Sequence, residues 1–155
     1  MIATPAIRLA VPADAPAIAA LSRDAIEHGL PWTWQAPRVA RAIRAANTNV
    51  VVVGPAEAIS AFGIMSYLDE DAHLLLFAVH PQKRRQGLGS GVLGWLEDVA
   101  RAAGAKRIRV EARKDNVAAR NFYSHHGYHE RMFASQMYSG HLDGVRLEKW
   151  LRAQD

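Results

Sequence analysis

The chain has 155 residues, 50% of them hydrophobic, no cysteine and a formal net charge of +4. That length and composition fit one globular domain over residues 1–155 with enough core to need neither metal nor disulfide, and the missing cysteine excludes a Cys-ligated metal site and any covalent cysteinyl-acyl step. The longest unbroken apolar run, Leu74–Val79, is too short to span a bilayer and the first residues lack a signal-peptide pattern, so a soluble, cytoplasmic protein is expected.

Taken in chain order, Ile7–Ala10 reads as a short strand. Asp14 then caps a helix with Ile18, Leu21, Ala25 and Ile26 at helical spacing, which Gly29 and Pro31 stop. A second helix follows Pro37, with the stripe Val39, Ile43 and Ala46. Val50–Val53 and Ile59–Tyr67 are β-rich and flank a Gly54–Pro55 turn, which predicts a hairpin. Asp69, Glu70 and Asp71 form a polar turn into a strand over His73–Val79. Leu88, Val92, Leu96, Val99 and Ala103 share one helix face, and Gly104 ends that helix. A strand over Ile108–Arg113 follows. Asp115 or Asn116 caps a helix that buries Ala119, Phe122, Tyr123 and His126, and Gly127 closes it. Arg131–Tyr138 and Val145–Trp150 make a closing hairpin around Gly140–Gly144. No repeat, linker or low-complexity segment interrupts this order.

The turn between the strand ending at Val79 and the helix opening at Leu88 holds Lys83, Arg84 and Arg85 beside Gly87 and Gly89. Glycines accept the positive φ angles that aim successive backbone N–H groups at one point, and a helix N-terminus adds partial positive charge there, so the turn is a phosphate cradle. The rest of the positive charge is scattered, without a basic helix, zinc pattern or aromatic RNA-binding signature. The surplus is therefore assigned to a small polyanionic cofactor and not to nucleic acid. Gly89, Gly91 and Gly94 also satisfy the spacing of a dinucleotide-binding fingerprint, with Glu111 at the distance of a ribose-binding acid. Context speaks against a dinucleotide-binding oxidoreductase: three cations separate the strand end from Gly87, and Gly91 and Gly94 fall inside an amphipathic helix.

Val79-x-Pro81 followed by Arg84-x-x-Gly87-x-Gly89 resembles the coenzyme A loop of the GCN5-related N-acetyltransferases (GNAT). A second motif in register, Asn116-x-x-Ala119-x-x-Phe122-Tyr123 and then Gly127-Tyr128, is similar to that family's Asn, Ala, Tyr, Gly, aromatic pattern. The likeness extends to the RimI-like branch, which acetylates protein N-terminal α-amines, through Ala78, Val79, Arg85–Gly89, Glu111, Arg113, Asn116, Ala118, Ala119 and Tyr123. The resemblance implies an α/β (α+β) fold: a mixed, mostly antiparallel twisted sheet of about six to seven strands, flanked by about four helices and splayed at the coenzyme A cleft. It also implies acetyl-coenzyme A (acetyl-CoA) as cosubstrate, no metal, and direct transfer to a primary amine through a ternary complex. Carried over residue by residue, the backbone of Phe77, Ala78 and Val79 would hold the pantetheine and the carbonyl. Arg84, Arg85, Gln86, Gly87, Leu88, Gly89 and Ser90 would hold the pyrophosphate, with Lys83 or Arg84 reaching the remaining phosphate, and Asn116 would bond the pantetheine arm.

Within that resemblance Tyr123 is the proton donor to the departing thiolate, since a phenol is protonated at neutral pH. Read on its own, it packs on a helix face with Ala119 and Phe122. Glu111, His73 or a water stands open as the base. Glu111 aligns with the RimI-like proton acceptor and lies on a strand face with Arg109 and Arg113, where it could instead pair with an arginine. His73, six before Val79, matches the position of the base in the histone-acetylating branch, and an imidazole titrates near neutrality. Trp32 and Trp34 lie in the connection that forms the acceptor wall, where they contact the acceptor or plug the core between two helices; Tyr138 and the His141–Gly144 loop form the facing wall. An α-amine near pKa 8 is roughly a tenth neutral at pH 7 and a lysine amine about one part in a few thousand, which favours α-amines. The expected partner is an amine, either a small molecule or a peptide N-terminus, with no nucleic acid and no membrane, and a homodimer is allowed. A non-catalytic acyl-CoA-binding sensor is the competing class, against which the presence of Glu111 and Tyr123 argues.

Overall fold

The computed structural model describes residues 6–138 and 142–151, without the side chains of 132–138 and 142. In chain order the elements are β1 (Ile7–Leu9), α1 (Ala15–Ala25), α2 (Ala36–Arg44), β2 (Thr48–Val53), β3 (Ala61–Leu68), β4 (Asp71–Val79), α3 (Leu88–Ala102), β5 (Arg107–Arg113), α4 (Val117–His125), β6 (His129–Tyr138) and β7 (Leu142–Trp150). They form one seven-stranded sheet of order β1-β2-β3-β4-β5-β7-β6. Every pairing is antiparallel except β4 with β5, whose connection runs through α3. Mixed sheets of this kind need a helical crossover at the parallel step.

Helices cover both faces. On one side α3 and α4 bury Val92, Leu93, Leu96 and Tyr123 against Val51, Met65, Ile108 and Val110. Gly63 lets α3 settle close on β3, because a Cβ there would stand 2.7 Å from Leu96. On the other side α1 and α2 bury Ile18, Ala19, Leu21 and Val39 against Val50, Val52, Phe62 and Ile64.

The predicted elements hold with local differences. On α3 the buried stripe runs Leu88, Val92, Leu96, Ala100, so Val99 is half-buried and Ala103 exposed; rows four apart drift around a 3.6-residue helix. Of the α4 positions expected inside, Tyr123 is buried, and Ala119, Phe122 and His126 are half-buried. Asp14 precedes α1 but makes no side-chain cap to it. Its carboxylate is fully buried and accepts two 2.8 Å bonds from Arg8 and one from the Val11 N–H. Arg8 holds the Asp14 carboxyl below the usual carboxylate range. Among the described residues no helix is long and apolar enough to cross a membrane.

Candidate active site

The site is made by a failure of pairing. The parallel ladder runs from Asp71↔Arg107 to Leu74↔Val110 and stops, although β4 stays paired to β3 as far as Val79 and β5 to β7 as far as Arg113. The two strands therefore diverge and leave backbone groups of the second half of β4 without a ladder partner on that side. A bulge marks the same place: Ile64 pairs Leu76 and Met65 pairs Leu74, so Leu75 is the extra residue.

One extra residue exchanges the faces of a strand. Ala72 and Leu74 point to the α3 side before the bulge, whereas after it Leu76 and Ala78 join the α1 side and Phe77 and Val79 pack toward α3. His73 thus lies on the opposite face from Phe77, which simple alternation along β4 would have placed beside it.

A cavity of about 480 Å³ occupies the opening and passes from one face of the sheet to the other. Of the residues predicted to hold the cofactor, Phe77, Ala78, Val79, Lys83, Arg84, Arg85, Gly87, Leu88, Gly89, Ser90, Asn116 and Tyr123 line it. Gln86 is exposed and does not line it. Arg85 and Gly87 hold φ angles of +65° and +79°, and Gly87 is the N-cap of α3, so the turn presents backbone N–H groups at a helix N-terminus as the cradle requires. A Cβ at Gly89 would stand 3.3 Å from the Phe122 ring, which explains why α3 and α4 approach closely there. Lys83, Arg84 and Arg85 are exposed at this end and make no salt bridge among the described residues. The gap in the ladder, the cradle and three available cations fit the pantetheine arm and phosphates of coenzyme A.

Two side chains near the cradle have local duties. Asn116 Oδ1 caps α4 by accepting from the Ala119 N–H at 3.1 Å. His126 Nδ1–H donates to the Phe122 carbonyl at 2.8 Å, so in the neutral ring Nε2 accepts from the Ser90 hydroxyl at 2.9 Å. Ser90 then offers the cradle its backbone N–H and not its hydroxyl proton.

Tyr123 is 5% exposed and lines the cavity, with its ring edge-on to Phe122 and Tyr128 and tilted against Phe77. It packs and faces the cavity at once. The two residues weighed separately as bases form one unit: His73 Nε2 lies 2.6 Å from Glu111 Oε2. Glu111 lines the cavity; His73 stands beside it on the α1 face. Burial pushes the Glu111 carboxyl up, but the His73 hydrogen bond and charge, with the fields of Arg146 and Arg109, outweigh it and hold the group below its usual range.

Of the two readings of the tryptophans, their packing matches the core plug. Trp32 and Trp34 do not line the cavity. Both are half-buried against the α1–α2 core, where the Trp32 indole N–H donates to the Ala19 carbonyl at 3.2 Å and Arg38 stacks 3.8 Å over the Trp34 ring. The end of α1, Ala25 and Ile26, supplies the wall instead. Glu27, which sequence reasoning passed over, and Arg113, which it placed on the strand face of Glu111 without this contact, hold that segment. Glu27, 7% exposed, accepts from Ser22 Oγ, Thr33 N, Thr33 Oγ1 and Trp34 N, folding the segment between α1 and α2 around one carboxylate. Arg113, at the end of β5, donates to the His28 carbonyl at 2.8 Å and ties that segment to the mouth of the cavity. A carboxylate just past a helix end was the available signal for Glu27; the Arg113 contact gave none, because its partner is a backbone carbonyl far away in sequence. The Tyr138 side chain and residue 141 lie outside the described residues, so the facing wall is not described.

A splayed sheet with a glycine-rich anion cradle on one face and an ionisable pair on the other has the arrangement of an acyl-coenzyme A transferase. Residues 18–128 match the acetyltransferase (GNAT) family, and the chain belongs to it. It is an N-acetyltransferase that uses acetyl-CoA. The ribosomal protein bS18 alanine N-acetyltransferase of Escherichia coli K12 is 29% identical over 111 residues, 72% of this chain and 73% of that protein. Among solved structures, Ard1 from Thermoplasma volcanium superimposes with a TM-score of 0.84 at 21% identity, covering 97% of this chain and 100% of that one. The paia N-acetyltransferase of Thermoplasma acidophilum in complex with coenzyme A gives 0.79 at 14% identity, covering 96% and 99%.

Proposed function

We propose that this chain, as a single N-acetyltransferase domain, moves the acetyl group directly to the N-terminal α-amine of a peptide or protein in a ternary complex; a small-molecule primary amine is the second reading. The observation that carries the proposal is the cavity through the sheet, which joins the cradle and Tyr123 on one side to Glu111 on the other. The bacterial relative that acetylates a ribosomal-protein alanine supports an α-amine acceptor. So does acidity, because an α-amine loses its proton about two units lower than a lysine does.

Acetyl-CoA, when bound, supplies an acyl carbon open to attack and a thiolate leaving group. The unpaired N–H groups along Phe77–Val79 hold the pantetheine and donate to the oxygen that gains charge. Glu111 accepts the proton that the amine gives up. Tyr123 keeps its proton at neutral pH and donates it toward the departing sulfur.

The test is acetyl-CoA turnover across peptides of varied N-terminus, polyamines, aminoglycosides and amino acids. Peptides with a free α-amine should turn over fastest, and capping that amine should abolish the reaction. Tight cofactor binding without turnover on any amine would support the sensor reading instead.

A further inference from the structure

We propose that His73 and Glu111 accept the amine's proton as one unit, with His73 as the positioning residue, so that the charge of the pair sets the acid side of the pH–rate profile. The proposal rests on the N-acetyltransferase reading above. At 2.6 Å a proton must lie between His73 Nε2 and Glu111 Oε2. With Glu111 ionised, that proton is the imidazole Nε2–H, which pins one carboxylate oxygen and leaves Oε1, on a residue that lines the cavity, to meet the amine.

The strands explain why these two side chains meet. In the β4–β5 register His73 stands opposite Arg109, and Glu111 follows two residues later on the same face. Asp71, the other carboxylate within reach on β4, is taken by Arg107 at 3.1 and 2.7 Å. The remaining charges on this face are Arg109 beside His73, Arg113 two residues past Glu111 and engaged with Asp115 and the His28 carbonyl, Arg146 opposite Glu111 on β7, and Glu148, which is engaged by Arg107 and Arg131. His73 is therefore directed to Glu111 by default of other anions. Its side chain is 29% exposed, which gives the pair a route to solvent.

As the amine nitrogen bonds to the acetyl carbon and the C–S bond breaks, the proton leaving nitrogen forms an O–H bond at Glu111 Oε1. The sulfur takes its proton from Tyr123, and the charge of the pair goes from minus one to zero. Solvent then removes the extra proton from the pair and returns one to the Tyr123 phenolate, which restores the starting enzyme. A proton taken from solvent beforehand fills the same unit, and groups this close titrate together, so the acid limb belongs to the pair and not to Glu111 alone.

The experiment compares His73→Gln with wild type on one peptide from pH 8 to pH 5.5. The ionisation of the peptide amine enters both enzymes alike, so the readout is the ratio of their kcat/KM values at each pH. Glutamine keeps an N–H donor for Glu111 and does not titrate. The ratio of variant to wild type should stay within about fivefold at pH 8 and rise at least about threefold toward pH 5.5. His73→Ala, which loses the donor, should lower kcat about tenfold across the range with the acetyl-CoA KM unchanged. A flat ratio in an active enzyme, or wild-type kcat in His73→Ala where chemistry is rate-limiting, overturns the unit while leaving the acetyltransferase reading intact. A wild-type protein that acetylates no amine overturns that reading, and the pair's role with it.

Discussion

On its α3 side, the cavity is lined by the end of β4, the turn after it and the first turn of α3, which follow one another in the chain, and by α4. Most of what they offer is backbone, aimed by positive φ at Arg85 and Gly87 and by the stopped β4–β5 ladder. On the α1 side, the site is assembled from a distance. His73 reaches Glu111 across 38 residues and Arg113 reaches the His28 carbonyl across 85. One side is thus defined by conformation and the other by side-chain company. A substitution should hurt the first chiefly through φ or space at a glycine, and the second chiefly through a lost charge or hydrogen bond.

The largest effect belongs to the seam where the two sides meet. Glu111→Gln keeps the shape of the acid and can still accept from His73 Nε2, but it no longer takes a proton. Its kcat should fall about 10²-fold or more at neutral pH while the acetyl-CoA Kd holds. Tyr123→Phe should lose about 10- to 10²-fold in kcat with its ring packing kept. Unchanged kcat in either variant, with chemistry rate-limiting, would move proton transfer to water or to other groups.

On the cofactor side the informative glycine is Gly87 and not Gly89. A side chain at Gly89 presses on Phe122 and mixes a packing defect with a binding defect, whereas a Cβ at Gly87 meets nothing within 4 Å and only the +79° φ is at stake. Gly87→Val should raise the acetyl-CoA Kd about tenfold, as calorimetry would read it, because a β-branched residue resists that conformation by one to a few kcal/mol. Glu27→Gln tests the other side. It weakens the clamp on the α1–α2 segment, so the KM of the peptide should rise roughly three- to tenfold with cofactor affinity unchanged. If cofactor affinity moves with it, the two sides are coupled more tightly than their construction suggests.

That difference in construction also decides what was legible beforehand. The cradle, the α4 motif and the order of elements follow from glycine placement, caps and periodicity, all local, and the structure brings every cradle residue but Gln86 to the cavity. The Leu75 bulge was invisible, because an apolar run such as Leu74–Val79 carries no alternation from which a slip could be read. His73 and Glu111 looked like rivals when they are neighbours, because the β4–β5 register that brings them together joins two segments far apart in sequence. Trp32 and Trp34 stayed open between two readings for a related reason: a tryptophan in a connection between helices has the same local appearance whether it faces a ligand or a core. Only the distant Ala19 carbonyl and the carboxylate of Glu27 decide it.

The smallest predicted effect therefore bears most directly on the contrast. If Trp32 belongs to the scaffold, Trp32→Phe removes one 3.2 Å hydrogen bond to Ala19 and part of a ring that Arg23 covers at 5.1 Å, and touches nothing in the cavity. Losing a neutral hydrogen bond from a half-buried donor costs about 1 kcal/mol, so urea unfolding should show a lower midpoint with an unchanged slope. The KM values for peptide and acetyl-CoA should both stay within about twofold. The reverse result, a peptide KM raised severalfold in a protein of wild-type stability, would place the indole at the acceptor after all. The wall would then extend beyond Ala25 and Ile26, and the α1 side would owe its selectivity to aromatic contact as well as to the carboxylate and guanidinium that hold it.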